Sequence, residues 1–217
     1  MDGVLISEIL IKNGKKICSS QDIAKISKTN YIKIISKLLN TRWIRRLEGF
    51  KGIYYVLDPE ERERRFLKLD SFAILTSALN IYLGDQWYFG RITALSLSGL
   101  INQPVSTYYV INKNYSKEIN SVIFGRVVFV KTSASINPSC GIITNTHQEI
   151  KYRICDLERN MADYIYSYLH GHTSRGQISN LYRNYKISKE RLTKILLKCY
   201  PKRSAIKMLS FAKAVSK

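Results

Sequence analysis

The chain has 217 residues, 45% of them apolar, enough for one sizeable core or two modest ones. Its 35 Lys and Arg against 16 Asp and Glu leave a formal charge of +19, far more than solubility requires, which points to a polyanionic partner such as nucleic acid. No segment has the pattern of a signal peptide or a membrane span. Cys18, Cys140, Cys155 and Cys199 are widely separated with no C-x-x-C, which speaks for reduced thiols in a cytoplasmic protein and against a disulfide framework or a metal site.

In chain order, the apolar run VLISEILI, interrupted by Glu8, reads as a first helix. Ser19, Ser20, Gln21 and Asp22 open a short helix, DIAKIS, and a second, NYIKIISKLLN, follows. In that second helix Ile32, Ile34, Ile35, Leu38 and Leu39 recur near a 3.6 period, leaving Thr29, Lys33, Ser36, Lys37 and Asn40 on the remaining arc. After Thr41 the period changes to that of a hairpin. Trp43, Ile44 and Leu47 stand among Arg42, Arg45 and Arg46, Gly49 and Gly52 supply the turn, and Ile53, Tyr54, Tyr55 and Val56 return.

Helix, helix and hairpin in this order predict a winged helix-turn-helix. Phosphate contacts position such a fold on DNA and base contacts give specificity, so both cations and a polar helix face are required. The candidates for the major groove are Lys28, Thr29, Asn30, Lys33 and Lys37; those for phosphate anchoring by the wing are Arg42, Arg45, Arg46 and Lys51. Winged folds also dock proteins, and charged helix faces often serve only solvation, so the pattern alone does not assign DNA.

Asp58 as a cap and Pro59 at the first helical position predict that PEERERRFLKL is a stiff linker, which ends a first domain at 1–66 and opens a second at 67–217. Phe72, Ile74, Leu75, Leu79 and Leu83 predict a helix ended by Gly84, and beyond GDQWYFG a further helix, ITALSLSGLI, is closed by Asn102 and Pro104. From 106 to 154 the period falls to two in STYYVINKN, GRVVFVKTS and EIKYRIC, with GIITN a weaker strand, which makes a small antiparallel or mixed sheet. DLERNMADYIYSYLHGH, SRGQISNLYRNY, SKERLTKILLKCY and KRSAIKMLSFAKAV then read as helices with Ser174, Ser188 and Pro201 as caps or boundaries. The predicted class is α+β: a winged domain, then an α+β domain with a helical C-terminal half. His170 and His172 form an H-x-H at a helix end marked by Gly171, and read as a surface turn because two ligands do not make a metal site.

The charge is uneven: 14 basic and 8 acidic residues over 1–66 give +6, 9 and 7 over 67–171 give +2, and 12 and 1 over 172–217 give +11. Lys186, Lys189, Lys194, Lys198, Lys202, Arg203 and Lys207 form a candidate secondary basic surface. With Arg175, Arg183 and Arg191, these lysines would equally suit an acidic protein partner.

The order of segments resembles the AbiEi family of antitoxins over most of the chain. TRWIRRLEGFKGIYYVLDP is similar to that family's stretch around a Gly-Trp-Ile and a Gly-Val-Tyr, with Arg42 before Trp43, and Gly52, Ile53 and Tyr54 in the second. In WYFGRITALSLSGL, Thr93, Ala94 and Leu95 stand for a Ser-Ala-Leu, and Ser98, Gly99 and Leu100 for a His-Gly-Leu, so that Ser98 replaces the family's imidazole. In YRICDLERNMADYI, Glu158, Arg159 and Asp163 match a strand-to-helix junction and Asn160 replaces a Thr. The resemblance implies a cytoplasmic, autorepressing antitoxin that binds an operator upstream of its own gene and opposes a nucleotidyltransferase-like toxin of a type IV toxin-antitoxin system.

Asp156, Glu158 and Asp163 are the one close acidic cluster outside the linker, but positions 156 and 158 do not share a helix face and no phosphate loop precedes them. These residues argue against catalysis and a cofactor. Asp156 is expected to cap a helix at Leu157, and Arg159 and Asp163, at i and i+4, to pair for about 0.3 to 0.5 kcal/mol if exposed. Sequence-specific DNA binding in transcription regulation is therefore the expected function. The alternative is a winged module that binds protein or RNA, with a basic helical tail, and does not act on its own promoter.

Overall fold

Amphipathic periodicity and well-chosen caps set the local structure of the chain, seen in a computed structural model that describes residues 3–27 and 30–215. The element order is α1 (Gly3–Lys12), β1 (Ile17–Ser19), α2 (Ser20–Ser27), α3 (Tyr31–Asn40), β2 (Ile44–Arg46), β3 (Ile53–Val56), α4 (Pro59–Arg64), α5 (Ser71–Leu83), β4 (Trp87–Phe89) and α6 (Arg91–Leu97). Then come β5 (Thr107–Asn112), β6 (Lys117–Ser121), β7 (Gly125–Lys131), β8 (Ile142–His147), β9 (Ile150–Cys155), α7 (Leu157–Leu169), α8 (Arg175–Asn184), α9 (Lys189–Cys199) and α10 (Lys202–Val215). The mixed α+β class and the helical C-terminal half are as expected.

Two compact units divide the chain: Met1–Asp85 with Ile119–Gly125 and Thr146–Ile150, and Gln86–Glu118 with Arg126–Asn145 and Lys151–Lys217. The first therefore includes α5, which packs on β1 and β3, whereas the sequence reading draws its boundary at 66, before that helix.

In the first unit β3 pairs antiparallel with β1 on one side and β2 on the other. Ile6 and Leu10 of α1, Ile23 of α2, and Ile35 and Leu38 of α3 bury their side chains with Cys18, Ile44 and Val56. Ser19 and Asp22 start α2 with the reciprocal bonds of a capping box: Asp22 Oδ2 accepts from the Ser19 N–H at 2.9 Å, and the Asp22 N–H donates to Ser19 Oγ at 3.2 Å. Asp58 and Glu61 form a second such box at α4, with Pro59 at the first helical position, as predicted. That helix stops sooner than PEERERRFLKL suggests, because Arg65 turns into the left-handed region at φ 57°.

Glu61 has no exposure, and its carboxylate ties the unit together. It accepts from Lys16 Nζ at 2.6 Å, Tyr55 OH at 2.5 Å, and the N–H groups of Asp58 at 2.9 Å and Lys68 at 2.7 Å. Burial pushes its pKa up, but these hydrogen bonds, that of Lys16 foremost, outweigh burial and hold it below the usual carboxylate value. Asp58 behaves alike under hydrogen bonds from Lys16 and Lys68, and at Asp22 burial is outweighed by Lys15 and Ser19, leaving its pKa at about 2.

The second unit holds most of a six-stranded mixed sheet ordered β6-β7-β5-β4-β9-β8, with β5 antiparallel to β4 and parallel to β7, and β4 parallel to β9. The three-residue β4 and β1, and β6, are strands that the sequence reading leaves out. Helices α7 to α10 bury Met161, Ile165, Ile178, Leu192, Leu196 and Met208 in a second core. Asp156 caps α7 as predicted, accepting from the Arg159 N–H at 2.7 Å. Arg159 pairs with Asp163 at i and i+4 as expected, but in the interior and not on an exposed face. Its guanidinium is fully buried, and donates to Asp163 Oδ1 at 3.1 Å, Tyr88 OH at 2.7 Å and the carbonyls of Asn137 and Cys140 at 2.9 and 2.7 Å.

The cysteines correct a further expectation. Cys18 and Cys155 are buried free thiols, but Cys140 and Cys199 are joined by a disulfide with Cα atoms 5.8 Å apart. This pair leaves no spacing signature in the sequence, because its members lie 59 residues apart. Among the described residues no helix is long and apolar enough to cross a membrane.

Two predictions follow from these bonds, and the two tryptophans, Trp43 and Trp87, report on one unit each. A carboxyl with a depressed pKa binds its proton more weakly in the folded than in the unfolded state, so its stabilisation is present above the unfolded value and lost as pH falls through the folded one. Urea unfolding of a Trp87→Phe chain, followed at Trp43, is expected to keep its midpoint from pH 7 to about 5 and to lose it progressively toward pH 2. In a Trp43→Phe chain, reducing the Cys140–Cys199 bond is expected to lower stability at Trp87 by about 4 kcal/mol, the loop-closure value for a loop of this length.

Candidate nucleic-acid interface

Helix α3 presents the face on which the candidate site rests. Ile35 and Leu38 point into the core, while Tyr31, Lys33, Ser36, Lys37 and Asn40 are exposed. Asn30 caps the helix, its side chain accepting from the Lys33 N–H at 3.4 Å, so its carbonyl oxygen serves the helix. Lys28 and Thr29, the other two candidates at this turn, lie outside the described residues.

Ile32 departs from its expected place. It is 63% exposed and so stands with Lys33 and Ser36, not in the apolar stripe. The 3.6 period places Ile32 near Ile35 and Leu39 on a wheel, but in the first turn it is Ile34, not Ile32, that packs against the core.

The basic side chains after α3 converge on one groove. Arg42, Arg45 and Arg46 line a cavity of about 380 Å³ together with Arg62, Arg65 and Phe66, over an apolar floor that includes Leu39, Ile44 and Leu57. Arg62 is fixed there: its guanidinium lies 3.8 Å from the Trp43 ring centroid and donates to the Thr41 carbonyl at 2.9 Å. Arg42 and Arg65 both hold φ near +56°, a conformation that side chains other than glycine adopt rarely. The sequence pattern places Arg62, Arg65 and Phe66 in a linker helix; the run RERRF is the available signal, obscured because its charges also fit a solvated helix.

The loop between β2 and β3 is not a free wing tip. Phe50 is buried, packed edge-on against Tyr82 at 5.4 Å and Phe124 at 5.7 Å between centroids. Glu48 accepts from the Val122 N–H at 2.8 Å, and a Cβ on Gly49 would come within 2.5 Å of Ile119. Only Lys51 at this tip keeps an exposed cation. The loop can set a charge beside a phosphate, but its apolar member is spent on packing.

In the second unit Lys186, Lys189, Lys194, Lys198, Lys202, Arg203 and Lys207 are all exposed. Lys194 pairs with Glu190 at 2.6 Å. Arg191, proposed beside them for an acidic partner, is instead committed to Asp156 at 2.6 Å and Glu158 at 3.6 Å. The acidic trio of the sequence reading is thereby accounted for: Asp156 caps α7, Glu158 accepts from the Ser188 N–H at 3.0 Å, and Asp163 binds Arg159, Tyr88 and Tyr200. Neither protein-family models nor curated proteins match this chain.

Gly49→Ala tests the seating of the loop. At φ 77° and against Ile119, an added methyl is expected to cost about 1 to 3 kcal/mol of first-unit stability, measured by urea unfolding at Trp43.

Proposed function

We propose that the first unit is a winged helix-turn-helix that binds double-stranded DNA, with α3 in the major groove and the arginine groove on the adjoining phosphates. The observations that carry this reading are the exposed polar face of α3, with Lys33, Ser36, Lys37 and Asn40, and the groove that Arg42, Arg45 and Arg46, next in the chain, share with Arg62 and Arg65. The order α1-β1-α2-α3-β2-β3, with β3 central in its sheet, suits the same fold. Helices of this kind read bases with their N-terminal residues, which here include Tyr31, Ile32 and Lys33. An exposed isoleucine beside a lysine fits a thymine methyl next to a hydrogen-bond acceptor on a base edge.

The resemblance to AbiEi antitoxins supplies the biological frame: an autorepressor acting on its own operator and opposing a nucleotidyltransferase-like toxin. The apolar floor of the arginine groove favours a second reading, in which an acidic protein segment lies there instead. Salt separates the two, because neutralised phosphates make affinity fall steeply with salt and an apolar contact is less sensitive.

The test is a salt-titrated binding assay on the duplex upstream of the gene, with a scrambled duplex as control. Lys33→Glu with Lys37→Glu is expected to abolish the preference for the upstream duplex, and Ile32→Ala to lower it by about 1 to 3 kcal/mol. Arg45→Ala and Arg46→Ala are each expected to weaken both duplexes and to reduce the salt slope by about 1. Equal binding to both duplexes by the unsubstituted chain would reject the reading.

A further inference from the structure

A cavity of about 490 Å³ within the second unit is left unused by the nucleic-acid reading and does not depend on it. Arg91, Lys131, His170 and His172 line it, and Asp163 is the one carboxylate that does. Asp163 is already engaged, since it accepts from Arg159 at 3.1 Å, from Tyr88 at 2.8 Å and from Tyr200. Among the described residues neither Arg91 nor Lys131 has a carboxylate at salt-bridge distance, and the Arg91 guanidinium rests 5.3 Å from the Tyr109 ring centroid. The cavity therefore offers two cations that no carboxylate pairs with, beside the apolar wall of Ile111 and Val128.

The backbone at Arg91 points the same way. Its φ is 55°, in the left-handed region, at the first position of α6. The buried side chain of Asn160 grips both ends of that residue, accepting from its N–H at 2.7 Å and donating to its carbonyl at 3.0 Å. Glycine would adopt this conformation without cost, and an arginine held there by a dedicated clamp is explained by what its guanidinium does. The volume is that of a small-molecule site of nucleotide scale.

We propose that this cavity binds a phosphorylated small molecule, with Arg91 and Lys131 holding its phosphate groups. Guanidinium and ammonium groups away from carboxylates are the donors that phosphate oxygens take.

Isothermal titration of the full chain with inorganic pyrophosphate and with ATP, at near-physiological salt, tests this. One saturable site per chain is expected. Arg91→Gly, whose backbone suits glycine, is expected to melt no lower than the unsubstituted chain yet to bind about tenfold or more weakly, and Lys131→Gln, at an exposed position, about threefold or more weakly. Lys12→Gln, which removes the same charge from α1, is expected to bind as the unsubstituted chain does. Tighter binding of ATP than of pyrophosphate would assign the apolar wall to the nucleoside, and equal binding would assign the site to the phosphates alone. Absence of saturable binding of both probes, or binding that Arg91→Gly and Lys131→Gln leave as it was, would overturn the proposal.

Discussion

The first unit depends on a carboxylate removed from water. Stripping the solvent from Glu61 costs several kcal/mol unless its oxygens are satisfied, and the unit satisfies them from four directions: the loop before β1, β3, the cap of α4 and the segment after it. Because those donors come from residues 16 to 68, the carboxylate is stable only when β1, β3 and α4 are in register. That requirement fixes where α4 begins and so where Arg62 and Arg65 project. The arginine groove follows from a buried anion on the same short helix, and Glu61 itself is part of the groove's lining.

The second unit uses the opposite sign in the same way. Arg159 is a buried cation whose partners lie on β4, α7 and the 137–140 segment, and the bonds it makes with backbone carbonyls hold a stretch that has no regular structure of its own. Asp163 and two tyrosines complete the arrangement, and burial first, then the charge of Asp163, raises the phenol pKa of Tyr88 and Tyr200 well above the ordinary value, so both stay hydrogen-bond donors. Buried pairs of this kind contribute less net stability than their Coulomb attraction suggests, but losing one partner strands the other.

Much of the helical framework was legible in the sequence, because caps and periodicity are local. Asp58, Asp156, Ser174 and Ser188 each cap the helix expected of them. What was not legible depends on distant partners. β1 and β4 are three residues long and exist because β3, β5 and β9 lie beside them, and no period can be read in three residues. The exposure of Ile32, the burial of Phe50 and the disulfide of Cys140 with Cys199 belong to the same class. For the candidate site, the α3 cations and the β2 arginines could be named in advance, whereas the place of Arg65 in one groove with Arg45 and Arg46 goes with a left-handed turn at a residue type with little preference for it.

The seated loop between β2 and β3 has one more effect. A segment that is loose before contact gives up conformational freedom on binding, and that loss is set against every attraction it makes. Phe50, Glu48 and Gly49 have already surrendered theirs in folding. Lys51 is thus carried on a backbone with little left to lose, so a partner meets it at a set height and spacing from the cations of α3. On the reading proposed above, such a surface acts as a ruler, which rewards anions at one separation and gives little to those at another.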